Sequence, residues 1–183
     1  MSFSNNPKTE WVDNYEQRNM KLLAPLTYTD PWGQEWHVPE DSWLNGATIP
    51  RSLWSIVGSP FVGKHRRPSI IHDFFVGEGD NPDVTDQQRK EADDMFYNAC
   101  LDEGMSKKDA GVFYLGVSIG RWLGRSRGFE KFNLDSLNTM HDDFYEIRKQ
   151  QDEFISILQE ADDLLDDGDF EALKSFAAEK TSE

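Results

Sequence analysis

The chain has 183 residues, 37% of them hydrophobic and 13% aromatic, and a formal net charge of −15. That is enough for one domain, or one domain with an appendage, around a core rich in its six Trp and twelve Phe. The single Cys100 excludes an internal disulfide and any zinc site built on paired thiols, and points to a reducing compartment. No run approaches the length of apolar sequence that crosses a bilayer, and the polar start Met-Ser-Phe-Ser-Asn-Asn-Pro carries no signal-peptide pattern.

The charge is unevenly placed. Residues 1–50 carry 3 basic and 7 acidic side chains, residues 51–131 carry 12 of each, and residues 132–183 carry 4 and 15. The composition therefore divides the chain into a body, 1–131, and an acidic arm, 132–183. A chain of this charge is expected to repel nucleic acid. Lys64, Arg66 and Arg67, with Arg51 before them, form a local basic exception that could bind an anion, or could balance nearby carboxylates.

Residues 1–20 are polar, and their pattern predicts an irregular arm docked by Trp11 and Tyr15. Leu22–Asp30 and Gln34–Pro39 read as two strands joined by the turn residues Thr29-Asp-Pro-Trp-Gly33, a β-hairpin that must lie on something else to be stable. Pro50 suits the first turn of a short helix over Arg51–Val57, with Thr48 or Ile49 as its cap. After a basic loop, Pro68 opens a helix that places His72 and Asp73 in the apolar run Ile70, Ile71, Phe74, Phe75. Thr85-Asp-Gln-Gln88 is a capping-box pattern. It starts a helix running to about Glu103, with Ala92, Met95, Phe96, Ala99 and Cys100 at helical spacing. Ser106–Asp109 is a second such start. The helix after it, from Ala110 to about Leu123, holds Gly111, Gly116 and Gly120, each costing roughly 1 kcal/mol relative to alanine. Glycines at that cost point to close approach of a neighbour, most simply the His72 helix.

Leu137, Met140, Phe144, Ile147, Gln151, Phe154, Leu158, Ala161 and Leu165 follow alternating steps of three and four, a heptad seam with one polar member. This predicts one continuous helix over 135–165, packed on its own domain, paired with a second copy or laid on a partner protein. Asp166-Asp-Gly-Asp169 ends it, and Phe170–Ala178 reads as a short amphipathic helix. The acidic run 162–169 does not fit a calcium loop, since Leu165 and Lys174 stand where oxygen ligands are required. The expected fold is α+β and mostly α: an N-terminal β-hairpin, a helical core around a His-Asp pair, and a long C-terminal helix.

Chemistry concentrates at His72. Asp93 and Tyr97 lie one turn apart on the next helix and can face it. A histidine held by a carboxylate is a better general base, because the imidazolium that forms is stabilised. The catalytic candidates are therefore His72, Asp93 and Tyr97. Asp73 points to another side of the helix and could hold a divalent cation, the one cofactor the pattern allows. The bland alternative is a buried histidine with its hydrogen-bond partner.

The order Asn45-Gly-Ala-Thr-Ile-Pro-Arg51, Ser69-Ile-Ile-His-Asp73 and Ala92-Asp-x-x-Phe96 resembles a family of small phage and prophage domains of unknown function, in which a G-A-S-I-P-R-type segment precedes an H-D pair and an A-D-x-x-F helix. The likeness spans residues 22–123 and implies a phage or prophage origin, with a location in the virion or the host cytoplasm. A weaker likeness is to secreted phospholipases A2, where an H-D-x-x-Y helix faces a second helix whose Asp orients the His and the adjacent Asp binds calcium. Here the flanking cysteines and the Gly-rich calcium loop are missing. HD-type metal phosphohydrolases are similar in their His-Asp pair, but His37 and His65 are poorly placed as the earlier ligand. Three functions are thus open: a virion or assembly component acting by binding, with a protein partner or a second copy on 135–165; a small hydrolase using His72 as base; or an interaction protein working through its acidic tail.

Overall fold

The computed structural model describes residues 2–12, 20–44, 49–58, 62–76, 84–125 and 140–182, with the side chains of 51, 121, 124, 125 and 140–144 left aside. It is a mostly helical α+β structure. Contacts group the chain into two compact units, 1–48 with 60–110 and 49–59 with 111–183. The compositional boundary at 131/132 falls outside the described residues.

Among the described residues the first unit holds six short strands. β1 (Ser2–Phe3), β4 (Leu26–Thr29) and β5 (Glu35–Val38) form one antiparallel sheet in the order β1-β4-β5. A second, in the order β2-β3-β6, is made of β2 (Thr9–Trp11), β3 (Met20–Leu22) and β6 (Trp43–Leu44). The expected hairpin is β4–β5, with Thr27 opposite His37 and Tyr28 opposite Trp36. Asp30 builds its turn. One carboxylate oxygen accepts from the Trp32 and Gln34 backbone N–H groups, each at 2.9 Å, and the other from Trp36 Nε1 at 3.2 Å. Gly33 supplies the positive φ of 87°.

Two expectations fail here. The supposed strand Leu22–Asp30 is two strands, β3 and β4, in different sheets. Pro25 lies in the break, where its missing N–H and fixed φ suit a chain changing sheets. The supposed irregular arm contributes β1 and β2, and Trp11 lies in β2 at 61% exposure. Tyr15 lies outside the described residues.

Helices α2 (Arg66–Val76) and α3 (Asp86–Asp102) complete the unit. The α3 start has the full capping box: Thr85 Oγ1 accepts from Gln88 N–H, and the Gln88 side chain accepts from Thr85 N–H at 2.8 Å. Leu22, Leu26, Tyr28, Trp36, Val38 and Leu44 from the strands form one core with Ile70, Ile71 and Val76 of α2 and Ala92, Met95 and Ala99 of α3. The alternation along β4 and β5, buried at every second residue, is what aims one face of the hairpin at α2.

In the second unit a 3-10 turn (Arg51–Leu53) runs into α1 (Trp54–Val57). α4 (Lys107–Arg125) opens on Ser106, whose Oγ accepts from Asp109 N–H at 3.0 Å, and its residues from 111 on belong to this unit. Its glycines do bring a neighbour close, but not α2. A Cβ at Gly116 would meet Ile49 and Val57, one at Gly120 would meet Pro50 and Leu53, and one at Gly111 would meet Leu165 and Leu173.

The expected long helix is divided into α5 (Met140–Glu160) and α6 (Asp162–Asp167), so the pattern was right about helix and wrong about continuity. The division at Ala161 creates a second N-terminus, where Asp162 and Asp163 sit favourably in the helix dipole. Leu137 and Asp135 lie outside the described residues. Phe154, Ala161 and Leu165 of the seam are buried. Its polar member, Gln151, donates to Ser52 O at 2.7 Å and Ser55 Oγ at 3.1 Å. Gly168, at φ 64°, ends α6, and the Asp169 carboxylate caps α7 (Phe170–Lys180).

Candidate functional site

The His-Asp pair is built by two helices. The apolar residues Ile70, Ile71 and Val76 pull α2 onto the sheets, and Ala92, Met95 and Phe96 pull α3 onto α2. His72 and Asp93 are carried inward with them, 1% and 6% exposed. There His72 Nε2 lies 2.7 Å from Asp93 Oδ1, the contact expected from the order of motifs. The Phe96 ring lies beside the imidazole at a tilt of 54°, with centroids 5.2 Å apart. A buried carboxylate needs a donor, and an N–H on the ring nitrogen facing Asp93 can supply it.

Tyr97 follows on α3, buried at 3% exposure, and burial holds its phenol above the usual range. Asp73 is 4% exposed on α2. Among the described residues no group of three or more His, Cys, Asp or Glu is placed to hold a metal ion. Among those residues Asp73 is therefore not part of a donor set that fits the calcium site the phospholipase likeness implies.

The basic candidates are turned to contacts within the chain. Lys64 Nζ donates to Gly104 O at 2.5 Å, placing a cation at the C-terminal end of α3. Arg67 makes a two-pronged bond to Glu103, at 2.8 and 2.6 Å, with its guanidinium 4.8 Å from the centre of the Phe3 ring. Arg66 reaches Thr9 Oγ1 at 3.4 Å. Arg51 opens the 3-10 turn, and its side chain is outside the described set.

The motif reading passed over two residues here, Ser69 and Arg89, and one atom of His72. Ser69, one turn before His72, is 1% exposed and its hydroxyl has no hydrogen-bond partner. His72 Nδ1 is likewise buried without a partner. Arg89, 3% exposed, donates from Nη1 to Val76 O at 3.1 Å, closing the C-terminal end of α2. For Ser69 the signal was present: it stands three residues before His72 and four before Asp73, the spacing that shares a helix face. Arg89 gave no such signal, because a charged residue in the first turns of a capped helix usually faces solvent.

Residues 20–117, more than half of the chain and including both helices of the pair, match the family model described as Protein of unknown function (DUF1353). The chain belongs to this family. The DUF1353 segment begins at β3 and ends within α4, so it takes in His72, Asp93, Tyr97 and the basic loop. Two proteins of Sinorhizobium fredii (strain NBRC 101917 / NGR234) are similar to the chain. Uncharacterized protein y4jT is 36% identical over 74 residues, which are 40% of this chain and 22% of that protein. Uncharacterized protein y4iH is 32% identical over 114 residues, 61% of this chain and 45% of that protein. The chain thus spans less than half the length of either relative. No solved structure matches it significantly. No helix among the described residues is long and apolar enough to cross a membrane.

Proposed function

We propose that this DUF1353 protein is a phage or prophage component that acts by binding, in a virion or during assembly, and that His72–Asp93 is a buried structural pair. The observation carrying this reading is the seal on the imidazole. At 1% exposure, with one nitrogen on Asp93 and the tilted Phe96 ring beside it, the imidazole offers almost no surface to a substrate's reacting atom. The phage origin rests on the three motifs in their order. The groups a protein partner would meet are exposed aromatic and apolar side chains: Trp32 at 76% and Trp43 at 57% in the first unit, and Tyr145 at 62% and Ile155 at 40% on α5. The last two lie within 135–165, the stretch proposed for a protein partner or a second copy.

One observation favours the hydrolase instead. His72 Nδ1 is unengaged while Nε2 is held by an acid, and an imidazole so held can take a proton from water at its free nitrogen. In that reading Asp93 orients the ring, and Tyr97, one turn further along α3, is the remaining catalytic candidate. The cation-assisted form at Asp73 lacks a ligand set among the described residues.

The test compares the wild type with His72→Ala and Asp93→Asn. Melting temperature and hydrolysis of phospholipid, phosphodiester and simple ester substrates are measured on each. The binding reading expects lower melting temperatures in both variants and no turnover by the wild type. Turnover that disappears in a folded His72→Ala protein would overturn it in favour of the hydrolase.

A further inference from the structure

Ser69, His72 and Asp73 occupy positions i, i+3 and i+4 of α2 and so share a face, each at least nine-tenths buried. Two polar atoms on that face have no hydrogen-bond partner, Ser69 Oγ and His72 Nδ1. Their needs are complementary. Asp93 draws the ring proton to Nε2, which leaves Nδ1 an acceptor, and the serine hydroxyl has a proton to donate. Side chains three apart on a helix are neighbours, with Cβ atoms roughly 5–6 Å apart. Yet the two atoms are not in hydrogen-bond geometry with each other. Their neighbours in sequence, Ile70 and Ile71, are apolar and buried, and Phe96 lies against the imidazole. None of these can supply the missing bonds.

We propose that one internal water molecule bridges Ser69 Oγ and His72 Nδ1. The water accepts from the serine hydroxyl and donates to the ring nitrogen, giving both orphaned atoms a partner in one step. Buried waters characteristically occupy such places, satisfying polar groups that the protein's own geometry leaves unpaired. Ser69 is then a positioning residue. Through the water it holds His72 as the Nε2–H tautomer and fixes the plane in which the ring meets Asp93. This stands whether His72 is structural or a general base, since the water's presence and the protein's turnover are measured separately.

The full chain is tested in three ways. A crystal structure at atomic resolution is expected to contain a water within hydrogen-bond distance of both atoms. Long-range proton–nitrogen NMR spectra should place the His72 proton on Nε2 and give Nδ1 the shift of a hydrogen-bonded acceptor. In Ser69→Ala that Nδ1 shift should move toward the value of a free acceptor while the bond to Asp93 remains. If Ser69→Ala does not fold, oxygen-17 relaxation dispersion on the wild type serves, and should detect a long-lived internal water. A dry site, a direct Ser69–His72 bond, a serine hydroxyl turned to the His65 carbonyl, or a proton on Nδ1 would each overturn the proposal.

Discussion

Helices α2 and α3 meet over His72 and Asp93, polar side chains that are 1% and 6% exposed. In the second unit α4 meets its neighbours over Gly111, Gly116 and Gly120. The first interface has a direction and a chemical requirement, because a buried acid without its donor costs more than the bond itself returns. The second has only a shape requirement. Glycine gives up helix propensity to let Ile49, Pro50, Leu53, Leu165 and Leu173 lie against the backbone. The two interfaces should therefore fail differently under mutation, one by loss of a partner and the other by gain of an atom.

The largest effect is expected at the polar interface. His72→Ala strands Asp93 and opens a cavity, so denaturant unfolding should show a loss of about 3 kcal/mol. Adding Asp93→Ala should cost much less than it does alone, and additive losses would mean that the pair is not coupled. At the glycine interface the order follows the neighbours. A Cβ at Gly120 would lie 2.9 Å from Cδ of Pro50, a ring that cannot swing away. Gly120→Ala should then destabilise by about 1–2 kcal/mol, overpacking outweighing the helix gain. Gln151→Ala, losing its bonds to Ser52 and Ser55, should cost about 1 kcal/mol. Gly116→Ala meets Ile49 and Val57 only at 3.5 Å, ordinary contact. It should be neutral or stabilise by up to about 1 kcal/mol. Equal melting temperatures for the two glycine variants would show that shape does not govern this interface.

Alkaline pH should act on the first unit. Burial raises the phenols of Tyr28 and Tyr97 above their ordinary 10.0 and the Cys100 thiol well above its ordinary 9.0, with Asp102 adding to the rise at Tyr28 and Glu103 at Cys100. As pH climbs past 9, the unfolded chain releases these protons while the folded chain keeps them. The folded state then binds more protons, so its stability falls with rising pH, by up to about 1.4 kcal/mol per unit for each group. A stability curve flat from pH 8 to 11 would argue that these groups are open to solvent.

Much of the helical part was legible, and for local reasons. The capping box at Thr85 and Gln88 and the serine start at Ser106 each fix an N-terminus within a few residues of sequence. The His72–Asp93 contact was legible because few partners were on offer for two polar groups set in apolar runs. The strands at 2–3 and 9–11 were not legible. Two or three residues cannot display an alternation, and their pairing with Thr29, Tyr28 and residues 20–22 is nonlocal. The neighbour of the α4 glycines was missed for a related reason. A glycine states that something comes close, but carries no chemistry that says what. Ser69 was overlooked because a small hydroxyl on a helix ordinarily needs no partner beyond its own backbone.

The Arg67 clamp has a consequence for the order in which the chain can be completed. Its guanidinium joins Glu103, just past the end of α3, to the face of Phe3 in β1, and lies 3.5 Å from the Asn5 carbonyl. On the ribosome, the first strand emerges long before residue 103 exists. β1 can pair with β4 once that strand is made, but the guanidinium has no carboxylate fork to hold it over Phe3 until both helices have followed. A strand made early is thus fastened only after both helices have followed. A nascent chain halted before residue 103 would carry its N-terminal strand unlatched and open to proteolysis.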